Sequence, residues 1–366
     1  MKIDIYSHFI PQKYHDELCK HLGKPYPMAI TNPCIIDLDS RLRLMDKYDE
    51  YMQVLVPGGP PIEAVAEPKK ASELARIAND SMAEIVEKRR DRFAAGVAIV
   101  ATNDIEAALT EIDRAVKKLN LKGLYLFTPQ YLYSADSAQR SLKDQNNRPI
   151  DPILPPMKGH TVGDLPMKTQ PIDEPVFEPL FEKMAQYKLP IWIHPRTTPA
   201  FADYTSEKIS KYRIWQIFGW PYHTTAAMTR LVFSALFEKY PEIRIITHHA
   251  GAMVPLFEHR ISAQYDYDEK LFSGEIAKTL NKRPVDYFRM FYTDTALNGN
   301  SLALMLAYSF FGPERLLFGT DAPHDHLMGD LSIRDTIASV EQMEISPSEK
   351  KLIFEENAKR LLHLPV

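Results

Sequence analysis

The stretch MKIDIYSHFIP, residues 1–11, decides the fold. Residues 2–6 read as a short strand. In a doubly wound open sheet the first strand is usually followed by a glycine-rich phosphate turn. Here Ser-His-Phe-Ile-Pro follows, without a glycine. A polar-aromatic cluster of Tyr6, His8 and Phe9 instead sits at the strand's C-terminal end, where it reads as a site rather than a turn.

Seven more apolar, β-branched or aromatic runs recur, at 52–56, 93–100, 121–127, 190–194, 244–248, 290–294 and 316–321. Most are nearly continuous, the mark of strands buried on both faces. Helical patterns lie between them. Residues 71–90 place Leu74, Ile77, Ala78, Met82, Ile85 and Val86 at helical spacing, and 104–119 and 225–240 repeat the behaviour. Ser346-Pro347-Ser348-Glu349 signals the start of a C-terminal helix running to about residue 362. Strands alternating with helices predict a (β/α)8 TIM barrel, regular or distorted, as a single domain over 1–366. Residues 128–176, rich in Pro, Asp, Asn and Gln, and the aromatic-rich 197–223 break the alternation. Both follow strands, so they are expected as long insertions on the C-terminal face, with 128–176 placed to cover the site.

Composition limits the function. Of 366 residues, 45% are hydrophobic, enough for a sizeable core, and the formal net charge is only −4. No basic block suggests nucleic acid, and no apolar run approaches the roughly 20 residues that span a bilayer. Cys19 and Cys34 are the only cysteines. They make no disulfide framework, so a reducing cytoplasm is expected.

Four of the proposed strands end in a ligand-type or acid–base side chain: His8, His194, His248 and Asp321. In a barrel these ends are neighbours on one rim. Imidazoles with a carboxylate suit a borderline divalent ion such as zinc or manganese. A lone histidine at a strand end is usually a structural residue, and His15, His21, His223 and His259 are left in that class.

The chain resembles the decarboxylase-type branch of the amidohydrolase superfamily, the amidohydrolase-2 or ACMSD-like family. Its members include aminocarboxymuconate semialdehyde, γ-resorcylate and 5-carboxyvanillate decarboxylases. The resemblance is carried by KIDIYSHFIP, LPIWIHPR, RLVFSALFEKYPEIRIITHHAGAMVP, FYTDTAL, LLFGTDAPHD and IFEENAKRLLHL. It implies His8, His194 and Asp321 as metal ligands, with zinc the first choice and manganese the second. It implies His248 as a base or water-orienting residue and Asp321 as a proton-transfer group. In a strand, neighbours point to opposite faces, so only one of His248 and His249 is expected to face the barrel centre. A dimer or tetramer also follows from the resemblance.

Tyr6 departs from the family, which has His or Glu there. Three readings stay open at this point: a metal on His8, His194 and Asp321 with Tyr6 as a hydrogen-bond donor, a phenolate ligand, or a metal-free site. Tyr6, Phe9, Trp192, Arg196, His249 and Asp294 are candidate substrate-binding residues, with Arg196 suited to a carboxylate. Phe201, Trp215, Trp220 and Tyr222 are further candidates for the wall of a pocket. The expected activity is metal-dependent, non-oxidative decarboxylation of an aromatic or unsaturated cyclic carboxylic acid, with no organic cofactor. The alternatives are a hydrolase or hydratase that uses metal-activated water on a carbonyl or lactone, and a metal-free enzyme or binding protein.

Overall fold

The computed structural model describes residues 1–23, 25–26, 32–131, 142–143, 149–150, 169–207, 209–271 and 278–365. Its centre is a ring of parallel staves. The strands are β1 (Lys2–Phe9), β2 (Tyr51–Pro57), β3 (Phe93–Gly96), β4 (Ala98–Ile99), β5 (Leu124–Thr128), β6 (Ile191–Pro195), β7 (Ile245–Thr247) and β8 (Tyr292–Thr293). They form two parallel sheets, β1-β2-β3 and β8-β7-β6-β5-β4. The expected strand 93–100 is split into β3 and β4, which face different neighbours, β2 and β5. Val97, between them, donates its N–H to Leu55 O, so the two pieces act as one stave.

The expected eighth strand, 316–321, is not a regular strand, yet it closes the ring. Thr293 bridges to Leu316, and Ser7 bridges to Ala322. Ile5 N–H donates to Phe318 O, and Asp321 N–H to Tyr6 O. The ladder between them is replaced by side chains. Buried Asp4 accepts from Thr320 N–H (3.1 Å) and Thr320 Oγ1 (2.6 Å), and Gly319 N–H donates to Thr295 Oγ1 (3.0 Å). These backbone groups are satisfied by side chains instead of a neighbouring strand, so no strand pattern forms. Gly319 allows the close approach: a Cβ there would lie 2.9 Å from Asp294 Cβ and 3.1 Å from Tyr6 Cβ.

Side chains alternate between two apolar layers. Val54, Val97, Tyr125, Trp192, Ile246 and Leu317 pack together inside the ring. Leu55, Leu124, Leu126, Ile191, Ile193, Ile245, Leu316 and Phe318 pack outward against the helices. Each such buried side chain contributes roughly 1.5–3 kcal/mol. This double burial explains the continuous apolar runs.

The helices carry their own signals. The expected 71–90 helix spans Pro68–Lys88, and 104–119 spans Ile105–Lys117 with Asp104 capping Ala107 N–H. The Ser346–Glu349 capping box is formed. The expected 225–240 helix is instead Gly219–Phe233 followed by Leu236–Lys239, because Ala235 between them adopts a left-handed backbone (φ 58°). The antiparallel pair of Gln130–Tyr131 with Thr169–Gln170 ties together the ends of the insertion read over 128–176. Residues 132–141, 144–148 and 151–168 of that insertion lie outside the described residues. Among the described residues, no helix is long and apolar enough to cross a membrane.

Candidate active site

A β-bulge sets the first part of the site. The β1–β2 register shifts between Asp4 and Ser7. Ile3 and Ile5 face the inner layer, but the bulge turns Tyr6 and His8 inward and Phe9 outward. Arg41 locks this shape from behind. Its buried guanidinium donates to Cys34 O (2.7 Å), Ser7 Oγ (2.9 Å) and Gln53 Oε1 (3.2 Å), and also to His8 O. His8 Nδ1–H donates to Pro57 O (3.2 Å), which assigns the tautomer and leaves Nε2 with its lone pair free.

His194 is reached by ordinary alternation, two residues beyond inward-facing Trp192. His248 follows the last residue of β7. Its Nδ1–H donates to Asp294 Oδ2, and Asp294 Oδ1 accepts from Ala250 N–H (3.1 Å) and Ala296 N–H (3.0 Å). Asp321 adopts a left-handed backbone, φ 61°, and brings Oδ1 within 3.1 Å of His8 Nε2 and 3.4 Å of His248 Nε2. One ligand atom from each of His8, His194, His248 and Asp321 lies within 4.8 Å of the others. His8 Nε2, His248 Nε2, His194 Nδ1 and Asp321 Oδ1 are buried without a hydrogen-bond partner. Burying such groups unpaired costs roughly 1–3 kcal/mol each. A divalent cation satisfies nitrogen and carboxylate atoms aimed at one point, so this residue set fits a metal.

The electrostatics of the metal-free chain agree with that picture. Burial, then the charges of His248 and His8, hold His194 well below its ordinary pKa. Burial also opposes charge on His248, but Asp294 and Asp321 outweigh it and raise its pKa to about 9. For Asp321, burial is outweighed by His248 and His8, which hold the carboxyl well below the usual carboxylate range. Burial, with Tyr125 and Asp294 adding to it, pushes the Tyr6 phenol well above its usual value. Tyr6 therefore stays a neutral phenol, and its Oη donates to Ile193 O (3.4 Å) rather than into the cluster. The phenolate reading is not supported.

The cluster lies at the floor of a cavity of about 830 Å3. Tyr125, Phe127, Trp215 and Trp220 supply flat aromatic wall, and Asn32, Arg196, His249 and His324 supply polar groups. Arg196 and His249 thus stand where expected. The other four substrate-binding candidates do not. Phe9 points outward past the bulge into the helix-facing core, and Trp192 lies one layer below His194 with Nε1–H on Ile5 O (3.1 Å). Asp294 and Tyr6 support His248 and do not line the cavity. Trp215 and Trp220 line it, whereas Phe201 and Tyr222 do not.

The expectation that only one of His248 and His249 faces inward is corrected. β7 ends at Thr247, and His249 and Ala250 adopt left-handed backbones (φ 57° and 53°), so strand alternation no longer holds. The two rings lie 3.7 Å apart, both on the inner side. Asn32, Tyr125, Phe127 and His324 were not singled out from the sequence. His324 follows the aspartate at Asp321 by three positions, which is the one signal that would have drawn attention to it.

A ring of parallel staves with an imidazole–carboxylate cluster at its C-terminal rim defines a metal-dependent barrel enzyme. The family model described as amidohydrolase matches residues 3–364, and the chain belongs to that family. It is 29% identical over 328 residues to γ-resorcylate decarboxylase of Polaromonas sp., covering 89% of this chain and 87% of the relative. It is 26% identical over 330 residues to 6-methylsalicylic acid decarboxylase of Penicillium expansum, covering 89% and 87%. The crystal structure of a dihydroxybenzoic acid decarboxylase from Polaromonas sp., with bound manganese and the inhibitor 2-nitroresorcinol, superposes with a TM-score of 0.72 at 25% identity. That match covers 99% of this chain and 96% of the other.

Proposed function

We propose that this chain is a divalent-metal-dependent, non-oxidative decarboxylase of an aromatic carboxylic acid that carries a hydroxyl beside the carboxylate. The observation that carries the reading is the His8–His194–Asp321 cluster at the floor of an aromatic-walled cavity, in a chain whose curated relatives are decarboxylases. His8, His194 and Asp321 hold the ion. Manganese replaces zinc as the ion of choice, since the Polaromonas relative's crystal structure contains it and the mixed nitrogen and oxygen set accepts it. When bound, the ion supplies a Lewis acid for the carboxylate and the neighbouring hydroxyl.

The chain's own residues do the rest. The aromatic walls, Tyr125, Phe127, Trp215 and Trp220, hold the ring flat and exclude water. Arg196 presents its guanidinium to substrate oxygen. Asp321, or an imidazole beside it, relays a proton taken from the substrate hydroxyl or from solvent to the ring carbon that bears the carboxylate. That carbon then loses the carboxylate as CO2, and the electron pair of the broken bond restores aromaticity. Homodimeric or homotetrameric assembly belongs to this reading through family membership. Two free cysteines support a cytoplasmic location.

The test is turnover of manganese-loaded protein on 2,6-dihydroxybenzoate and 6-methylsalicylate in water enriched in 18O. CO2 release, with a decarboxylated phenol free of 18O, supports the lyase. A product that has taken up 18O overturns it in favour of the hydrolase. The metal-free and binding-protein readings conflict with a cluster of three imidazoles and a carboxylate that each offer a ligand atom within 4.8 Å of the others.

A further inference from the structure

His248 and His249 are neighbours in sequence but not equivalents in the site. His248 has no solvent exposure, its Nδ1 is engaged by Asp294, and its partnerless Nε2 is aimed at Asp321. His249 is the reverse: its ring lines the cavity, and its Nδ1 is buried without a partner.

The geometry points to His248 as the fourth protein ligand of the metal, oriented by Asp294, and to His249 as the imidazole that meets the substrate. The ligand assignment stands on the site's geometry alone, whereas the role of His249 rests on the decarboxylase reading.

The pattern of partners carries the first half. An imidazole that binds a metal usually hands its other N–H to a carboxylate or a backbone carbonyl, which fixes the tautomer and the ring plane. His8 does so through Pro57 O, and His248 does so through Asp294. His249 has no such partner. Asp294 is itself held by the N–H groups of Ala250 and Ala296, so it forms a rigid support. Tyr6 does not fill the coordination place, because its hydroxyl faces Ile193 O. Its ring instead lies flat on His248 at 3.9 Å and fixes that imidazole from the other side.

Access carries the second half. The cavity wall includes His8, His194, Asp321 and His249, but not His248. A substrate that reaches the cluster therefore touches His249, while Tyr6 and Asp321 screen His248. The left-handed backbone at His249, φ 57°, is what brings the second ring round to the cavity. A residue held in that conformation without a glycine is costly to keep, and functional sites are where such strain collects.

The experiment loads the full chain with Mn2+ and reads, by pulsed electron paramagnetic resonance, which imidazole nitrogens couple to the ion. Wild type should show the nitrogens of His8, His194 and His248. His248→Ala should lose one of those couplings and bind Mn2+ at least about tenfold more weakly. Asp294→Asn should keep the couplings and weaken binding by about 10–100-fold. His249→Ala should keep both the couplings and the Mn2+ affinity, while turnover falls by about 10^2–10^4. His248→Gln, with a melting curve for each variant, guards against a variant that does not fold, and the wild-type spectrum needs no variant.

The proposal is overturned if wild type couples only two imidazoles or binds no Mn2+. It is equally overturned if His248→Gln binds Mn2+ as tightly as wild type, or if His249→Ala is the variant that loses a coupling. Metal binding is read without substrate. A protein that leaves hydroxybenzoates untouched would thus refute the decarboxylase reading and leave the ligand assignment standing.

Discussion

The Tyr6 ring lies on the His248 ring, with centroids 3.9 Å apart and planes 9° from parallel. A position at the end of the first stave has thereby become a support for a position at the end of the sixth. Tyr6→Phe keeps the stack and loses only the hydroxyl contact to Ile193 O, so its stability should fall by about 1 kcal/mol. Tyr6→Ala leaves a cavity beside His248 and should cost about 3–5 kcal/mol. It should also weaken Mn2+ binding. Denaturant melts and Mn2+ titration of both variants check this; an alanine variant with wild-type metal affinity would show that the stack has no part in the site.

Arg41 holds the bulge behind His8 through four acceptors: Cys34 O, Ser7 Oγ, Gln53 Oε1 and His8 O. Arg41→Met removes the cation and leaves buried acceptors unpaired, at roughly 1–3 kcal/mol each. Stability should fall by at least about 3 kcal/mol. Metal affinity should fall with it, since His8 is no longer held. A variant as stable as wild type in urea would rule out this bracing role.

Arg196 lines the cavity two residues beyond His194. Lysine keeps the charge but not the planar fork that meets a carboxylate with two N–H groups. Arg196→Lys should raise KM for a hydroxybenzoate on the order of tenfold, equivalent to about 1.4 kcal/mol, with a smaller change in kcat. A loss confined to kcat would place Arg196 in the chemistry rather than in binding.

Removing the metal should be reversible and visible without substrate. Chelation leaves His8 Nε2, His248 Nε2 and Asp321 Oδ1 unsatisfied again. Ion present at one hundred times its Kd adds about 2.7 kcal/mol to stability. The melting temperature should therefore drop on chelation and return with Mn2+. A melting curve indifferent to both additions would count against a resident ion.

The staves that follow plain alternation were legible. His194 falls two residues after Trp192 and points the same way, and the double burial of 124–127 and 191–193 is written in their unbroken apolar runs. Phe9 was misread because the bulge between Asp4 and Ser7 reverses the count: alternation from Ile3 and Ile5 would carry it inward. His249 was misread because β7 stops one residue earlier than its apolar run. The eighth stave lacked strand form because Asp4 and Thr295, hundreds and tens of residues away, take its backbone groups. Arg41 gave no signal, since its four partners, two backbone carbonyls and two side chains, are brought together only by the fold.

Glu63 offers a test away from the metal. It sits in the short helix Ile62–Val65, 2% exposed, and burial raises its pKa from 4.5 to about 8, slightly offset by its own N–H. The folded chain therefore keeps this proton up to about pH 8, while the unfolded chain releases it near 4.5. Between those values the unfolded state binds fewer protons, so stability falls as pH rises, by roughly 1.4 kcal/mol per pH unit for this one group. Below pH 4.5 both states hold the proton, and above about 8 neither does, so the contribution is flat outside the window. Glu63→Gln keeps the shape of the neutral acid and removes the titration. Its stability relative to wild type should climb steadily between pH 4.5 and 8 and level off beyond, in urea melts at matched ionic strength. Parallel curves for the two proteins across that range would mean that Glu63 is solvated and ionised in the folded chain.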